Sequence, residues 1–282
     1  MVFMIGSLAG VGLGLTLTDV LGPLRHRQFV VRSLVASWVV CPATAWILLQ
    51  VRPLDSPYAA GLLMLSLAPC APFAPAMAAR AGGDAAYMAA FTALSAVTTI
   101  IVMPLAVPVF VSGLSADPLA IARPLVLFVI APLAVGMLVR EISVTAADRM
   151  KAPLAAATSA AAGVLVVIVV LMHSPGVLIA FGTYAIAMQV VFIAAITLLA
   201  HACGSGLVHG QRSVLTLGVG TRNLGAALAP LAAGDADSRS LLMIVIAVPV
   251  TIAAAVLTAR WLGKGQTVPA AKRIHREGAG SA

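Results

Sequence analysis

Nine apolar runs follow one another along this chain, separated by short polar joints, and that pattern leaves few folds open. They lie at roughly 1–21, 29–51, 58–80, 84–113, 117–139, 152–172, 176–203, 211–232 and 239–262. A helix of about 20 apolar residues crosses the hydrocarbon core of a bilayer. The runs are continuous rather than alternating, which excludes a membrane β-barrel pattern. Composition agrees: 61% of residues are hydrophobic and 9% charged, where a soluble domain carries about 25% charged residues. The expected fold is therefore an all-α integral membrane protein with about nine transmembrane helices. The joints are short, so a single transmembrane domain is expected over residues 1–263. Residues 264–282 read as a disordered basic tail. No separate signal peptide is expected, because the first run lacks a basic leader and continues into further spans.

The formal net charge of +8 could point to nucleic acid; its distribution points to topology instead. Alternating through nine spans puts Arg25, Arg27, Arg32, Arg80, Arg140, Arg149, Lys151, Arg212, Arg260, Lys264, Lys272, Arg273 and Arg276 on the side of the C-terminus. The opposite side holds only Arg52, Arg123 and Arg239. By the positive-inside rule the C-terminus is cytoplasmic, and a multi-pass protein of a bacterial-type inner (plasma) membrane is expected. Cys41, Cys70 and Cys203 lie in apolar runs without CxxC spacing and read as small buried thiols. No cofactor motif, hydrolase elbow or metal-ligand spacing is present, so neither an enzyme nor a metal site is expected.

Two runs carry interruptions. The third contains Pro69, Pro72 and Pro75 at successive third positions. Each removes a backbone donor and crowds the preceding turn, so the helix should break near mid-membrane. The eighth contains Gly218, Gly220 and Gly225 around Thr221, Arg222 and Asn223, which predicts a second break. The two runs are five apart and so cross the bilayer in opposite directions. Paired interruptions of this kind mark the binding site of secondary transporters built from inverted repeats. The expected repeats are about 1–113 and 117–263, the first one helix short.

Arg222 sits near the centre of its run, where an arginine costs roughly 2.5–3.5 kcal/mol to insert. Every Asp and Glu falls at a span end, in a loop or in the tail. One partner left for the guanidinium is an anionic ligand, held by parallel hydrogen bonds; another is the backbone carbonyls freed at a helix break. Asn223 can contact substrate or cap a half-helix. The candidate substrate contacts are Arg222, Asn223, Gly220, Pro72 and Thr92. Ser37, Ser95 and Gln189 are further mid-span polar residues of the kind that more often bond helices together than bind ligands.

With these features in view, the chain resembles bacterial members of the bile acid:sodium symporter family from about Gly12 to Trp261. The resemblance is carried by Pro42 to Ile47, the Pro69–Pro75 break, Gly83-Asp84, and Gly220-Thr221-Arg222-Asn223. It implies ten helices in two inverted five-helix repeats, of which the first helix is missing here. A core domain would hold two crossing broken helices beside a panel domain. The implied substrates are organic anions, with Na+ as the coupling ion in many members and H+ another possible ion. The implied sodium ligands are mostly replaced: Ala74 and Pro75 stand for a serine–asparagine pair, Met88 for a serine, and Gly218 for a shared glutamate. Ser37 and Arg222 stand for glutamines, leaving Thr92 and Ser37 as a weakened cation site. The expected function is secondary transport of a small carboxylate, sulfate or sulfonate by alternating access. The alternative is a non-transporting membrane receptor or regulatory subunit for such an anion.

Overall fold

The computed structural model describes residues 2–110, 118–161, 164, 184–232 and 238–264. Among them every regular element is helical. The helices are α1 (Val2–Gly12), α2 (Leu17–Leu24), α3 (Arg27–Val51), α4 (Ser56–Ser66), α5 (Ala74–Arg80) and α6 (Ala85–Phe110). After these come α7 (Pro118–Ile142), α8 (144–161), α9 (Ala185–Cys203), α10 (His209–Gly220), α11 (Leu224–Ala232) and α12 (Ser238–Gly263). Five of the described helices are each long and apolar enough to cross a membrane, six if the bent pair α1–α2 counts as one span. The tail beyond residue 264, and the segment expected to end the sixth run and start the seventh, lie outside the described residues.

The first expected span is not one helix. α1 and α2 meet at 82°. The cause is local: Thr16 accepts from the backbone N–H of Asp19 at 3.2 Å, while the Asp19 carboxylate accepts from the Thr16 N–H at 3.0 Å. This capping box starts a new helix where the first one stops. Glu141 at the end of α7 adds a second cap, accepting from the Leu17 N–H at 2.7 Å. The joint expected at Gly22–Gln28 shrinks accordingly, since α2 runs to Leu24 and α3 begins at Arg27.

α1 packs on α7 where two glycines face each other. A Cβ on Gly12 would lie 2.9 Å from the Met137 N, and one on Gly136 would lie 2.9 Å from the Leu13 N. Only hydrogen on both Cα atoms permits that approach, the usual device of close helix pairs in lipid. α3 and α7 each contain one π-helical turn, Ala36–Val40 and Val126–Ile130. Each ends two residues before a proline, Pro42 or Pro132. The Cys41 N–H donates to Ala36 O and the Ala131 N–H to Val126 O, five residues back instead of four. The wider turn makes room for a ring that an α-helical carbonyl would strike. The outer surface is apolar, with Ile101, Leu105, Val109 and Leu198 all more than half exposed, as lipid contact requires.

Candidate functional site

Both expected interruptions are present and they meet. The first covers residues 67–73, between α4 and α5. Pro75 does not break a helix; it occupies the first turn of α5, where its missing N–H costs nothing. The second interruption is shorter than the glycines suggest. Gly218 and Gly220 remain helical in α10, and only Thr221–Asn223 leave the helix, with Thr221 extended.

The backbones join directly. The Asn223 N–H donates to Pro69 O at 2.8 Å, and Arg222 Nη1 donates to Ala68 O at 2.8 Å. Arg222 Nη2 donates to Cys41 Sγ, presented by the end of the π turn in α3. Each break thus supplies what the other lacks: carbonyls from the proline segment, donors from the arginine segment. At the far ends, His209 Nε2 lies 3.2 Å from Ala81 O. The pair α10–α11 therefore runs antiparallel to α4–α5.

Arg222 is 1% exposed, and it takes part in no ion pair among the described residues. Its two partners are neutral, so no counter-charge meets the guanidinium among the described residues. Arg222 Nε and Asn223 Nδ2 are buried without an acceptor among the described residues. Asn223 Oδ1 accepts from the Ala226 N–H at 3.2 Å and so caps α11. Of the two partners that the sequence left open for Arg222, the freed carbonyl is occupied here. Of the two roles left open for Asn223, capping is realised by its oxygen, while its nitrogen stays unpartnered.

The remaining candidates take definite places. Thr92 donates to Met88 O at 2.9 Å and lies 3.6 Å from Cys70 Sγ. Ser95, one turn on, faces the Cys70 N–H at 3.4 Å. Gly220 packs on α9, and a Cβ there would fall 2.5 Å from Thr197 Oγ1. Pro72 is half-buried in the first break, and Ser37 is buried within the π turn. Gly218 lies under the Phe91 ring, where a Cβ would fall 2.6 Å from Cδ1. Arg222, Asn223 and the segment Ala68–Cys70 thus form one cluster. Thr92 touches it through Cys70, and Gly220 borders it.

Sequence reasoning passed over Cys41 and Cys70, which read as inert thiols. Both flank the guanidinium's surroundings, Cys41 by direct contact and Cys70 beside the carbonyls that hold the crossing. The one available signal was Cys41-Pro42, since a proline in mid-span marks a distorted turn.

A protein-family model described as "Sodium Bile acid symporter family" matches residues 1–181. The match includes the first break and ends before α9, so Arg222 lies beyond it. No curated protein matches the chain.

Proposed function

The chain belongs to the sodium bile acid symporter family, and from that premise we propose that it is a secondary transporter for a small organic anion, a carboxylate, sulfate or sulfonate. The observation that carries this reading is Arg222: a fully buried cation whose partners among the described residues are all neutral, at the crossing of two interrupted helices. A carbonyl and a thiol soften the cost of burying a guanidinium without cancelling its charge. Breaking up a well-formed buried ion pair costs about 3–5 kcal/mol, so an anion arriving here gains a term of that order. The unpartnered Nε and the Asn223 amide N–H are donors suited to its oxygens. The N-terminus of α11 adds positive dipole on the same side.

The antiparallel course of α4–α5 and α10–α11 supports inverted repeats, the run of apolar segments supports nine membrane passes in a plasma membrane, and the basic excess on one side supports a cytoplasmic C-terminus. Alternating access follows as a motion of the crossed helices against the α1–α7 pair. At the family's sodium positions this chain offers Ala74, Pro75, Met88 and Gly218, and the Phe91 ring fills the space beside Gly218. Thr92 spends its hydroxyl on its own helix. Arg222 therefore serves as a built-in cation, and transport runs without a sodium gradient.

Uptake of a labelled carboxylate panel into proteoliposomes tests this. Wild type should accumulate at least one acid equally with and without sodium. Arg222→Ala should lose that uptake by about 100-fold or more, with Arg222→Lys intermediate. Undiminished uptake by a monodisperse Arg222→Ala protein, or strict dependence on a sodium gradient, refutes the respective part of the proposal.

A further inference from the structure

Two buried polar side chains in the core have no role in the fold described above. Gln189, near the start of α9, is fully buried, and neither end of its amide has a hydrogen-bond partner among the described residues. Thr251, midway along α12, is also fully buried, and its hydroxyl has no hydrogen-bond partner among the described residues. The threonine is an exception among the described buried threonines. Thr92, Thr197, Thr216 and Thr221 each donate to the carbonyl four residues back, the ordinary resort of a helix hydroxyl away from water. Thr251 forgoes that bond. An orphaned buried polar group is destabilising, so a reason for retaining these is required.

The helix register places the two at one depth. α9 runs antiparallel to α10, because His201 Nδ1 lies 3.2 Å from Thr216 Oγ1 while Thr197 faces Gly220. α10 runs antiparallel to α4–α5, as shown above. α12 runs with α4–α5, since Gly61 faces Met243 and Gly263 faces Arg80. α9 and α12 are therefore parallel, and the rings of His201 and Trp261 fix their register with centroids 4.7 Å apart. Counting back from that contact at the helical rise, Gln189 lies ~18 Å and Thr251 ~15 Å along the same direction. They share a depth to within one turn.

The same counting relates them to Arg222. Gln189 is two turns, ~12 Å, beyond Thr197 and hence beyond Gly220. Arg222 follows Gly220 by two residues of non-helical chain, at most ~7 Å in that direction. The guanidinium and the neutral pair are thus separated in depth by roughly the length of a small acid.

We propose that Gln189 and Thr251 receive the uncharged polar end of a substrate whose carboxylate lies on Arg222, which makes the substrate a hydroxy- or oxo-carboxylate. The inference rests on the anion reading of Arg222. An amide and a hydroxyl both donate and accept, which matches an alcohol group in either sense. A buried site of this kind discriminates against an analogue lacking the group, because its own polar atoms are then left unpaired.

Calorimetric titration of the detergent-purified full chain with butanoate and with 4-hydroxybutanoate tests it. Wild type should bind the hydroxy acid at least ten times more tightly than butanoate. Gln189→Leu and Thr251→Val should bring the two acids to equal affinity, and both variants should melt at or above the wild-type temperature, since each removes an orphaned group. Equal affinities in wild type, or an undiminished preference in Gln189→Leu, overturn the inference. So does a Gln189→Leu protein that melts well below wild type, because the amide would then have had a partner within the fold. If butanoate binding survives Arg222→Ala, the anion reading fails; if it needs Arg222 but the hydroxyl adds nothing, only the present inference fails. Binding of neither acid by wild type overturns both.

Discussion

Consider Gly218→Ala, a one-carbon change in α10. The added Cβ would lie 2.6 Å from Cδ1 of Phe91, a ring that is itself 1% exposed. A rigid ring in a packed interior cannot yield by rotating a flexible tip, so either α10 or α6 must shift. Overpacking of this kind costs about 1–3 kcal/mol. At ~2–4 °C per kcal/mol for a chain of this size, the melting temperature should fall by roughly 2–12 °C. Phe91→Ala alone removes buried aromatic contact and should cost about 3–5 kcal/mol. In the double variant the new methyl group enters the space that the ring vacates. The two losses should then fall short of their sum by about 1–2 kcal/mol, within the range found for residues in contact. Gly218→Glu should be worse than Gly218→Ala, since it also buries a carboxylate. Thermal denaturation of detergent-purified protein, read as the loss of the monodisperse peak, gives all the values. Additivity within about 0.5 kcal/mol, or an unchanged melting temperature for Gly218→Ala, refutes the claim that Phe91 occupies the place where a sodium-binding glutamate would stand.

Further outcomes are expected elsewhere. Asn223→Ala removes the cap of α11 and should cost about 0.5–2 kcal/mol, with Asn223→Asp recovering most of it; melting temperatures decide. Gly136→Ala should separate α1 from α7 and lower stability by about 1–3 kcal/mol, whereas Gly22→Ala, whose Cβ would meet nothing within 4 Å, should leave it unchanged. The Asp148 carboxyl is held below its ordinary value by Lys151, which donates to it at 2.9 Å, and by Arg140 at 2.6 Å. A depressed carboxyl contributes its stability above the unfolded pKa and loses it as pH falls through the folded one. The contribution of this exposed group should therefore be present at neutral pH and vanish in acid, and Asp148→Asn should flatten that part of the melting-temperature profile.

Five of the spans and both interruptions were legible in the sequence because apolar length and proline act locally. Pro69 and Pro72 disrupt a helix whatever surrounds them, and Arg222 attracts notice anywhere in lipid. What the sequence could not supply was contact. Nothing local pairs Arg222 with Ala68 or Cys41, because those bonds depend on how distant helices cross. The 82° bend was missed for a different reason: Leu13 to Leu21 stays apolar enough to pass for one run, while Thr16 and Asp19 cap across only three residues. Gln189 was legible as a polar position, Thr251 drew no notice, and only packing revealed that neither is satisfied among the described residues.

The mutual completion of the two breaks carries a consequence for biogenesis. The Ala68 carbonyl is separated from its guanidinium donor by 154 positions in the chain. At ~5–20 residues per second, synthesis of that stretch takes roughly 8–30 s. For that interval the proline segment has left the ribosome while the arginine segment does not yet exist. The nascent first half must wait beside the insertion machinery, in water or against a chaperone, with its open carbonyls shielded from the acyl chains. Chains truncated before α10 should accordingly be substrates for membrane proteolysis and not for stable insertion.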